Sequence, residues 1–174
     1  MINFHPPYPG NLRFTQTTSK TVANTVVETS LFDGGVGTQI IPPVKTGDIL
    51  NIYISGYIST ASNNQISTLA VKIGNTVICS LGGTLPSTLS NTYFEITVLI
   101  TFRATGVNGI VIGQGKSLIA ITQGVSSVQI APLQDFGNVN IDLTSNNLLD
   151  VTYKWNTAST GNSITATNAI IKWN

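Results

Sequence analysis

Charged residues are scarce in this sequence. Asp, Glu, Lys and Arg make up 9% of its 174 residues, whereas an average soluble domain contains roughly 25%. A folded monomer of this length exposes about 8,000 Å² of surface, so eight basic and seven acidic side chains cover little of it. Thr, Ser and Asn, which hydrogen-bond to water without charge, are abundant instead. We expect such a surface to lie in a protein assembly or to meet a neutral partner.

No basic stripe is present. The net charge is +1, and the basic residues are scattered along the chain, for example at Lys20, Lys45, Lys72, Arg103, Lys116 and Lys154. Nucleic-acid binding depends on clustered Lys and Arg that neutralise phosphates. The sequence therefore argues against a nucleic-acid partner.

Long apolar runs are also missing. No segment approaches the roughly 20 apolar residues of a membrane helix. The first residues, MINFHPPYPGN, lack the basic start and apolar centre of a secretory signal. We expect a chain that is not inserted in a membrane and that is made and kept in a cytoplasm.

Cysteine and histidine each occur once. Cys79 alone cannot form an internal disulfide or a cysteine-rich zinc site, and its neighbours Ile78 and Leu81 favour a buried thiol. His5 is the sole imidazole, which excludes a histidine metal site. Its place in a proline-rich segment disfavours a Ser-His-Asp triad. No cofactor is predicted.

The seven carboxylates leave a catalytic acid and base pair of the glycosidase type open. Simpler roles are available for most of them, since Asp33 and Asp48 fall at predicted turns, and Glu28, Glu95 and Asp142 fall on solvent-facing strand positions. We therefore expect a protein that is not an enzyme.

The segment GIVIGQGKSL, residues 109–118, looks like a phosphate-binding loop. The pattern G-x-x-x-x-G-K-[ST] would require glycine at position 110, where Ile110 stands. The following LIAITQG favours a strand rather than the helix whose amides would bind phosphate. We interpret Gly109, Gly113 and Gly115 as glycines that let strands turn or bulge.

Alternating apolar residues dominate the rest of the chain. In GDILNIYISGYIST, Leu50, Ile52, Ile54 and Ile58 fall on one face, as a half-buried strand requires. The same alternation is present in NTYFEITVLITF, NVNIDLT and DVTYKWN. Weaker strands are predicted at 13–18, 21–32, 37–41, 66–73, 76–81, 110–121, 125–130 and 163–173. No apolar period of 3.6 persists for three turns, so no long helix is expected.

These strands predict an all-β fold, an antiparallel β-sandwich of jelly-roll type with about 8–10 strands. Residues 13–174 would form this single domain. Residues 1–12 would form an extended arm, because Pro6, Pro7 and Pro9 remove backbone donors that a helix or central strand would use.

Three tyrosines, Tyr53, Tyr57 and Tyr93, fall on the polar phase of predicted strands. Tyrosine combines an apolar ring with a polar tip, so these side chains could pack against a neighbouring subunit or stack on a sugar. We favour the subunit interface. Trp155 and Trp173, in the last two strands, are predicted to anchor the core.

Four segments resemble a known group of proteins. TVANTVVETSLF, IIPPVKTGDILNIYISGYIST, LAVKIGNTVICS and LLDVTYKWNTASTGNSITATNAIIKWN are similar to the small jelly-roll heads of viral and bacteriophage structural proteins, such as tail-fibre tips, head fibres and capsid spikes. The likeness extends from about Thr21 to Asn174. Such heads typically assemble as trimers, rather like the heads of the tumour-necrosis-factor and C1q type. The stalk that often precedes them is lacking, so we expect the arm to attach directly to another virion protein, through Phe4, His5, Pro6, Pro7, Tyr8 and Pro9.

The resemblance implies a virion structural protein, assembled in the host cytoplasm and displayed as a trimer that attaches to a host surface. Two polar loops would contact a glycan or protein receptor through Ser62, Asn63, Asn64, Gln65, Ser159, Thr160 and Asn162. A minor capsid or cement protein of the same fold is one alternative. A microbial carbohydrate-binding module or adhesin is the alternative from a different class.

Overall fold

The computed structural model describes residues 11–35, 37–40, 44–61, 65–121 and 127–174. Over these ranges the chain forms strands and turns and no helix. It follows that the described residues hold no helix long and apolar enough to cross a membrane. The prediction of an all-β chain without a long helix is confirmed.

Thirteen strands are present in the described residues. They are β1 (Asn11–Thr15), β2 (Lys20–Ala23), β3 (Thr29–Ser30), β4 (Thr38–Ile40), β5 (Ile49–Ser59), β6 (Gln65–Ile73), β7 (Thr76–Leu85), β8 (Thr92–Ala104), β9 (Gly109–Ala120), β10 (Val128–Asp135), β11 (Val139–Ile141), β12 (Asn147–Trp155) and β13 (Ser163–Trp173). The number exceeds the predicted 8–10 because β2, β3, β4 and β11 are short segments of two to four residues. The predicted strand at 21–32 is divided at Asn24, which has a left-handed φ of 47°.

All strand pairs are antiparallel. What we call the first sheet has the order β13-β5-β8-β9-β10, with β1 and β2 beside β13 and β11 beside β9. The second sheet has the order β7-β6-β12, with β3 and β4 beside β12. This arrangement gives the chain its β-sandwich character.

Strand β10 joins the two sheets. Residues 128–133 pair with β9, and then Gln134 and Asp135 pair with Ser80 and Cys79 of β7. The two sheets therefore form one antiparallel sheet that curls back on itself.

The core lies between the two sheets. On β5 the predicted apolar positions are buried, and on β8 they are buried from Phe94 to Phe102. The second sheet contributes Val151, Tyr153 and Trp155. Burying each large aliphatic or aromatic side chain contributes about 1.5–3 kcal/mol, so the alternation seen in the sequence is the main source of stability.

The interpretation of the glycines in 109–118 is wrong. These residues lie within β9, and none of the three glycines has a positive φ. A Cβ on Gly113 would lie 2.6 Å from Ile78 Cγ2, and one on Gly115 would lie 2.5 Å from the Thr97 carbonyl oxygen. Glycine is required at these two positions because the Ile78 side chain and the Thr97 backbone leave no room for a Cβ atom.

The cysteine and one tryptophan are placed as predicted. Cys79 is a free, fully buried thiol, and Trp155 is fully buried. Trp173 is only partly buried. It stacks on Phe102 at a centroid distance of 5.4 Å, and the Arg13 guanidinium lies 5.5 Å from its ring centroid.

Candidate functional site

The three tyrosines share the outer face of the first sheet. Tyr57 on β5 lies opposite Tyr93 on β8, and Tyr53 lies opposite Thr97. The exposed fraction is 50% for Tyr57 and 38% for Tyr93. Because their strand neighbours Ile58 and Phe94 fill the core, these rings must project away from it.

A carboxylate holds two of the tyrosines together. Glu95 lies between Tyr93 and Thr97 on β8 and accepts hydrogen bonds from both, at 3.1 and 3.2 Å. Tyr53 donates to the same carboxylate at 3.5 Å, and the Tyr53 and Tyr93 hydroxyl oxygens are 3.2 Å apart. Two rings are thereby fixed in one orientation on the sheet surface.

Tyr93 stays protonated in this cluster. Burial of the hydroxyl raises its pKa, and the hydrogen bonds with Tyr53 and Glu95 raise it further. A neutral tyrosine donates to a carboxylate, whereas an ionised one would be repelled by it. The cluster is therefore built for packing and hydrogen bonding rather than for nucleophilic chemistry.

The surface formed by the tyrosines continues onto apolar side chains of β9 and β10. Glu95 is opposite Leu118 on β9, which is in turn opposite Ile130 on β10. Ile130 is 61% exposed and Val128, two residues before it, is 44% exposed. We call the set Tyr53, Tyr57, Tyr93, Leu118, Val128 and Ile130 the outer patch. Large exposed apolar side chains in one area are typical of interaction surfaces.

A lysine borders the outer patch. Lys116 on β9 is exposed and lies opposite both Thr97 and Pro132. Within the described ranges the ion pair found is Lys72–Glu28, on the other sheet. Glu95 and Lys116 thus place one hydrogen-bonded carboxylate and one lysine beside the aromatic and aliphatic surface of the outer patch.

The two predicted receptor loops lie side by side. The backbone amide of Ala61 donates to Asn162 Oδ1 at 2.9 Å, and Asn162 Nδ2 donates to Gln65 Oε1 at 2.7 Å. Thr160 is exposed and Ser159 is half-buried. Ser62, Asn63 and Asn64 lie outside the described residues, and their assignment stays a prediction.

Asn162 has a different role from the predicted one. Its side chain is 1% exposed, and its amide is occupied by hydrogen bonds within the chain, because Nδ2 also donates to the Thr157 carbonyl at 3.4 Å. A buried amide bonded in this way positions loops. We therefore correct the prediction that Asn162 contacts a receptor.

The predicted arm at residues 1–12 is in part a strand, because Asn11 and Leu12 belong to β1 and pair with Trp173 and Lys172 of β13. Phe4, His5, Pro6, Pro7, Tyr8 and Pro9 lie outside the described residues, so their docking role stays a prediction.

A second polar cluster lies on the outer face of the second sheet. Glu28 accepts from Thr152 Oγ1 at 2.5 Å and from Lys72 Nζ at 3.1 Å. Ser30 Oγ donates to Asp150 Oδ1 at 2.6 Å. The strand pairings β12–β3 and β12–β6 bring these residues together, which sequence spacing could not reveal.

The two carboxyls of this second cluster are shifted in opposite directions. The Thr152 hydrogen bond lowers the pKa of Glu28, whereas burial raises the pKa of Asp150. Opposite shifts are the signature of an acid and base pair. Both carboxyls accept hydrogen bonds from hydroxyls, and Glu28 also from an ammonium group, so we interpret the cluster as a hydrogen-bonded network of the second sheet.

The described residues contain no group of three His, Cys, Asp or Glu side chains that could hold a metal ion. A scan against protein-family models, a search of curated proteins and a search of solved structures each find no match to this chain.

Proposed function

We propose that the protein is a non-enzymatic structural protein of a virus particle, a trimeric jelly-roll head that mediates attachment to a host surface. The observation that carries this proposal is the outer patch, where Tyr57, Tyr93 and Ile130 are exposed together on one sheet. In the assembled head, copies of the chain cover this surface.

The jelly-roll assignment is supported by strand order. If β1 with β2 and β3 with β4 each count as one strand, and β9 to β11 are set aside as an insertion, eight strands remain. Their order is first-eighth-third-sixth in one sheet and second-seventh-fourth-fifth in the other. This is the order in which two Greek keys form a jelly roll.

The occupant of the outer patch is a second copy of the chain. Tyrosine is enriched at interfaces, and the sparse charge of the whole surface disfavours a highly ionic partner. Glu95 on β8 and Lys116 on β9 lie beside the outer patch and have opposite charges. Glu95 of one copy can therefore pair with Lys116 of another across an interface. A standard interface needs about 800 Å² from each partner, roughly a tenth of the 9105 Å² that this chain exposes.

Trimeric symmetry would give the loops their function. Three copies around one axis display three identical pairs of the loops 61–65 and 157–162. Neutral amide and hydroxyl groups at Gln65, Ser159 and Thr160 suit the hydroxyls of a glycan. Weak single contacts add through effective concentration, so the trimer holds a particle where one head would not. Asn11 and Leu12 belong to β1, so the part of the predicted arm that precedes them would attach the head to other virion proteins.

The solution mass of the full chain tests the assembly. Light scattering after size exclusion should give three chains per particle. Ile130→Asp, within the outer patch, should give a monomer, because an unpaired charge would be buried at the interface. Val107→Asp is the matched control, since Val107 is 66% exposed in the turn between β8 and β9, away from the patch. A monomeric wild type would contradict the proposal and favour a carbohydrate-binding module.

A glycan panel tests attachment. The trimer displayed at high density should bind, and Thr160→Trp should weaken binding by blocking the exposed loop, while Thr144→Trp, in the exposed turn after β11, should not. A trimer that binds no glycan or cell surface would contradict attachment and favour the cement role.

A further inference from the structure

A cavity of about 280 Å³ lies between the two sheets. Its walls come from β5, β8 and β13 on one side and from β6, β7 and β12 on the other, with β9 and β10 at the open edge. Protein interiors rarely contain voids larger than a water molecule. A space of this size between packed sheets therefore requires an explanation.

Small residues at inward-facing positions create the cavity. Gly83 on β7 is opposite Ser67 on β6, and Ala131 on β10 is opposite Ser117 on β9. A Cβ on Gly83 would meet nothing within 4 Å. Apolar side chains of ordinary size at these four positions would fill the space.

The cavity opens to solvent where β7 and β10 separate. These strands pair through Gln134 and Asp135, and the β7 residues beyond that pairing, Gly82 to Thr84, are exposed, as is Gln129 on β10. All four of these residues line the cavity. A small molecule can therefore enter without unfolding a sheet.

The described lining of the cavity is mostly apolar. Ile58, Leu69, Phe94 and Ile96 contribute to the wall, and the lining residues in the described ranges include no Asp, Glu, Lys, Arg or His. A charged ligand would lose its hydration without gaining an ion partner.

One buried polar group has no partner. Tyr153 lines the cavity, and its hydroxyl oxygen makes no hydrogen bond with the described part of the chain. The Ser67 hydroxyl lies near the Tyr153 hydroxyl but without the geometry of a hydrogen bond. Burial raises the pKa of the Tyr153 hydroxyl and Ser67 partly offsets this shift, so the hydroxyl remains a neutral donor and acceptor. A buried hydroxyl left unpaired destabilises a protein, and a ligand oxygen would remove that defect.

We propose that this cavity is a binding site for a small neutral molecule that is mostly apolar and has one hydroxyl or carbonyl group, which pairs with Tyr153. The cavity is about twice the roughly 150 Å³ that accommodates benzene, so a fused two-ring aromatic or an alkyl chain of similar volume fits.

The test uses 2-naphthol as the probe, with naphthalene and 2-naphthoate as matched probes that lack the hydroxyl or carry a charge. Methyl NMR of the full chain should show shifts at Leu69, Ile96 and Ile119, which line the cavity. 2-Naphthoate should bind at least about 100-fold more weakly than 2-naphthol. Equal binding of the two, or no methyl shift with 2-naphthol, would overturn the proposal.

Two pairs of variants locate the site. Gly83→Leu places a side chain in the cavity and should abolish binding, whereas Thr68→Leu, at a position of β6 that does not line the cavity, should keep it. Tyr153→Phe should weaken 2-naphthol about 5-fold and leave naphthalene unchanged. Ser117→Leu fills the cavity from β9 and replaces Gly83→Leu if that variant does not fold. Wild-type binding by a folded cavity-filling variant would overturn the assignment.

Discussion

Asn162 and Gln65 join two loops that are far apart in the sequence. The amide nitrogen of Asn162 donates to Gln65 Oε1 at 2.7 Å, while its oxygen accepts from the backbone amide of Ala61 at 2.9 Å. Gly161 packs against Ala61 so closely that a Cβ there would lie 2.9 Å from the Ala61 Cα. The geometry of this end of the molecule therefore depends on one buried amide.

Replacing Asn162 with Ala should lower the free energy of unfolding by about 2 kcal/mol, because it leaves buried hydrogen-bonding groups without partners. Urea denaturation measures this difference. Thr160→Ala is the control on the same loop, and its exposed side chain predicts a change within about 0.5 kcal/mol. Equal effects of the two variants would contradict the positioning role of Asn162.

Cys79 should be unreactive in the folded protein. Burial raises the pKa of its thiol to about 12, with Asp135 adding to the shift, and the thiolate is the reactive form. Native protein at pH 8 should release no thionitrobenzoate from Ellman's reagent, whereas protein in guanidinium chloride should titrate its single thiol. Rapid reaction of the native protein would mean that β7 opens at Cys79.

Asp33 should contribute to stability in a pH-dependent way. The backbone amides of Thr18 and Thr17 donate to its carboxylate and lower its pKa to about 2. Since the folded pKa lies below the unfolded one, the stabilisation is present above about pH 4 and is lost as the pH falls toward 2. The advantage of wild type over Asp33→Asn in urea denaturation should shrink over this range.

Asp150 should change the pH dependence of stability in the opposite direction to Asp33. Burial raises its pKa, so the folded chain binds this proton more tightly than the unfolded chain. The difference in unfolding free energy between wild type and Asp150→Asn should move in favour of wild type as the pH falls. The same direction for both variants would contradict these pKa directions.

Gly115 should not tolerate a side chain. Gly115→Ala would place a Cβ 2.5 Å from the Thr97 carbonyl oxygen, a backbone atom that cannot move aside. We expect a loss of roughly 1–3 kcal/mol, measured by thermal or urea unfolding. Gly83→Ala, with nothing within 4 Å of the new Cβ, should be nearly neutral. A Gly115→Ala protein of unchanged stability would contradict this prediction and show that β9 can shift away from Thr97.

Alternation predicted some elements closely and missed others for a physical reason. β5 and β12 lie close to their predicted positions, because strict alternation marks them. β13 matches 163–173, one of the weaker predicted strands. The strand predicted at 76–81 is longer in the structure, where β7 continues through Gly82 and Gly83 to Leu85. Pairing with β6 across Gly82 and Gly83 outweighs the local preference of glycine for turns.

The candidate site could likewise be predicted from the sequence only in part. The outward direction of Tyr57 and Tyr93 follows from strand phase and could be predicted. The convergence of Tyr53 and Tyr93 on Glu95, and of Glu28 and Asp150 near β12, depends on which strands are neighbours. That information is long-range and no local pattern contains it.

The double pairing of β10 also bears on motion. One dipeptide connects this strand to β7, while its first six residues are held by β9. Transient loss of this pairing would separate β7 from β10 at one edge of the sandwich. The hydrogen bonds between β5, β8 and β9 would remain intact. Amide protons of Gln134 and Asp135 would then exchange with solvent by a local fluctuation rather than by global unfolding.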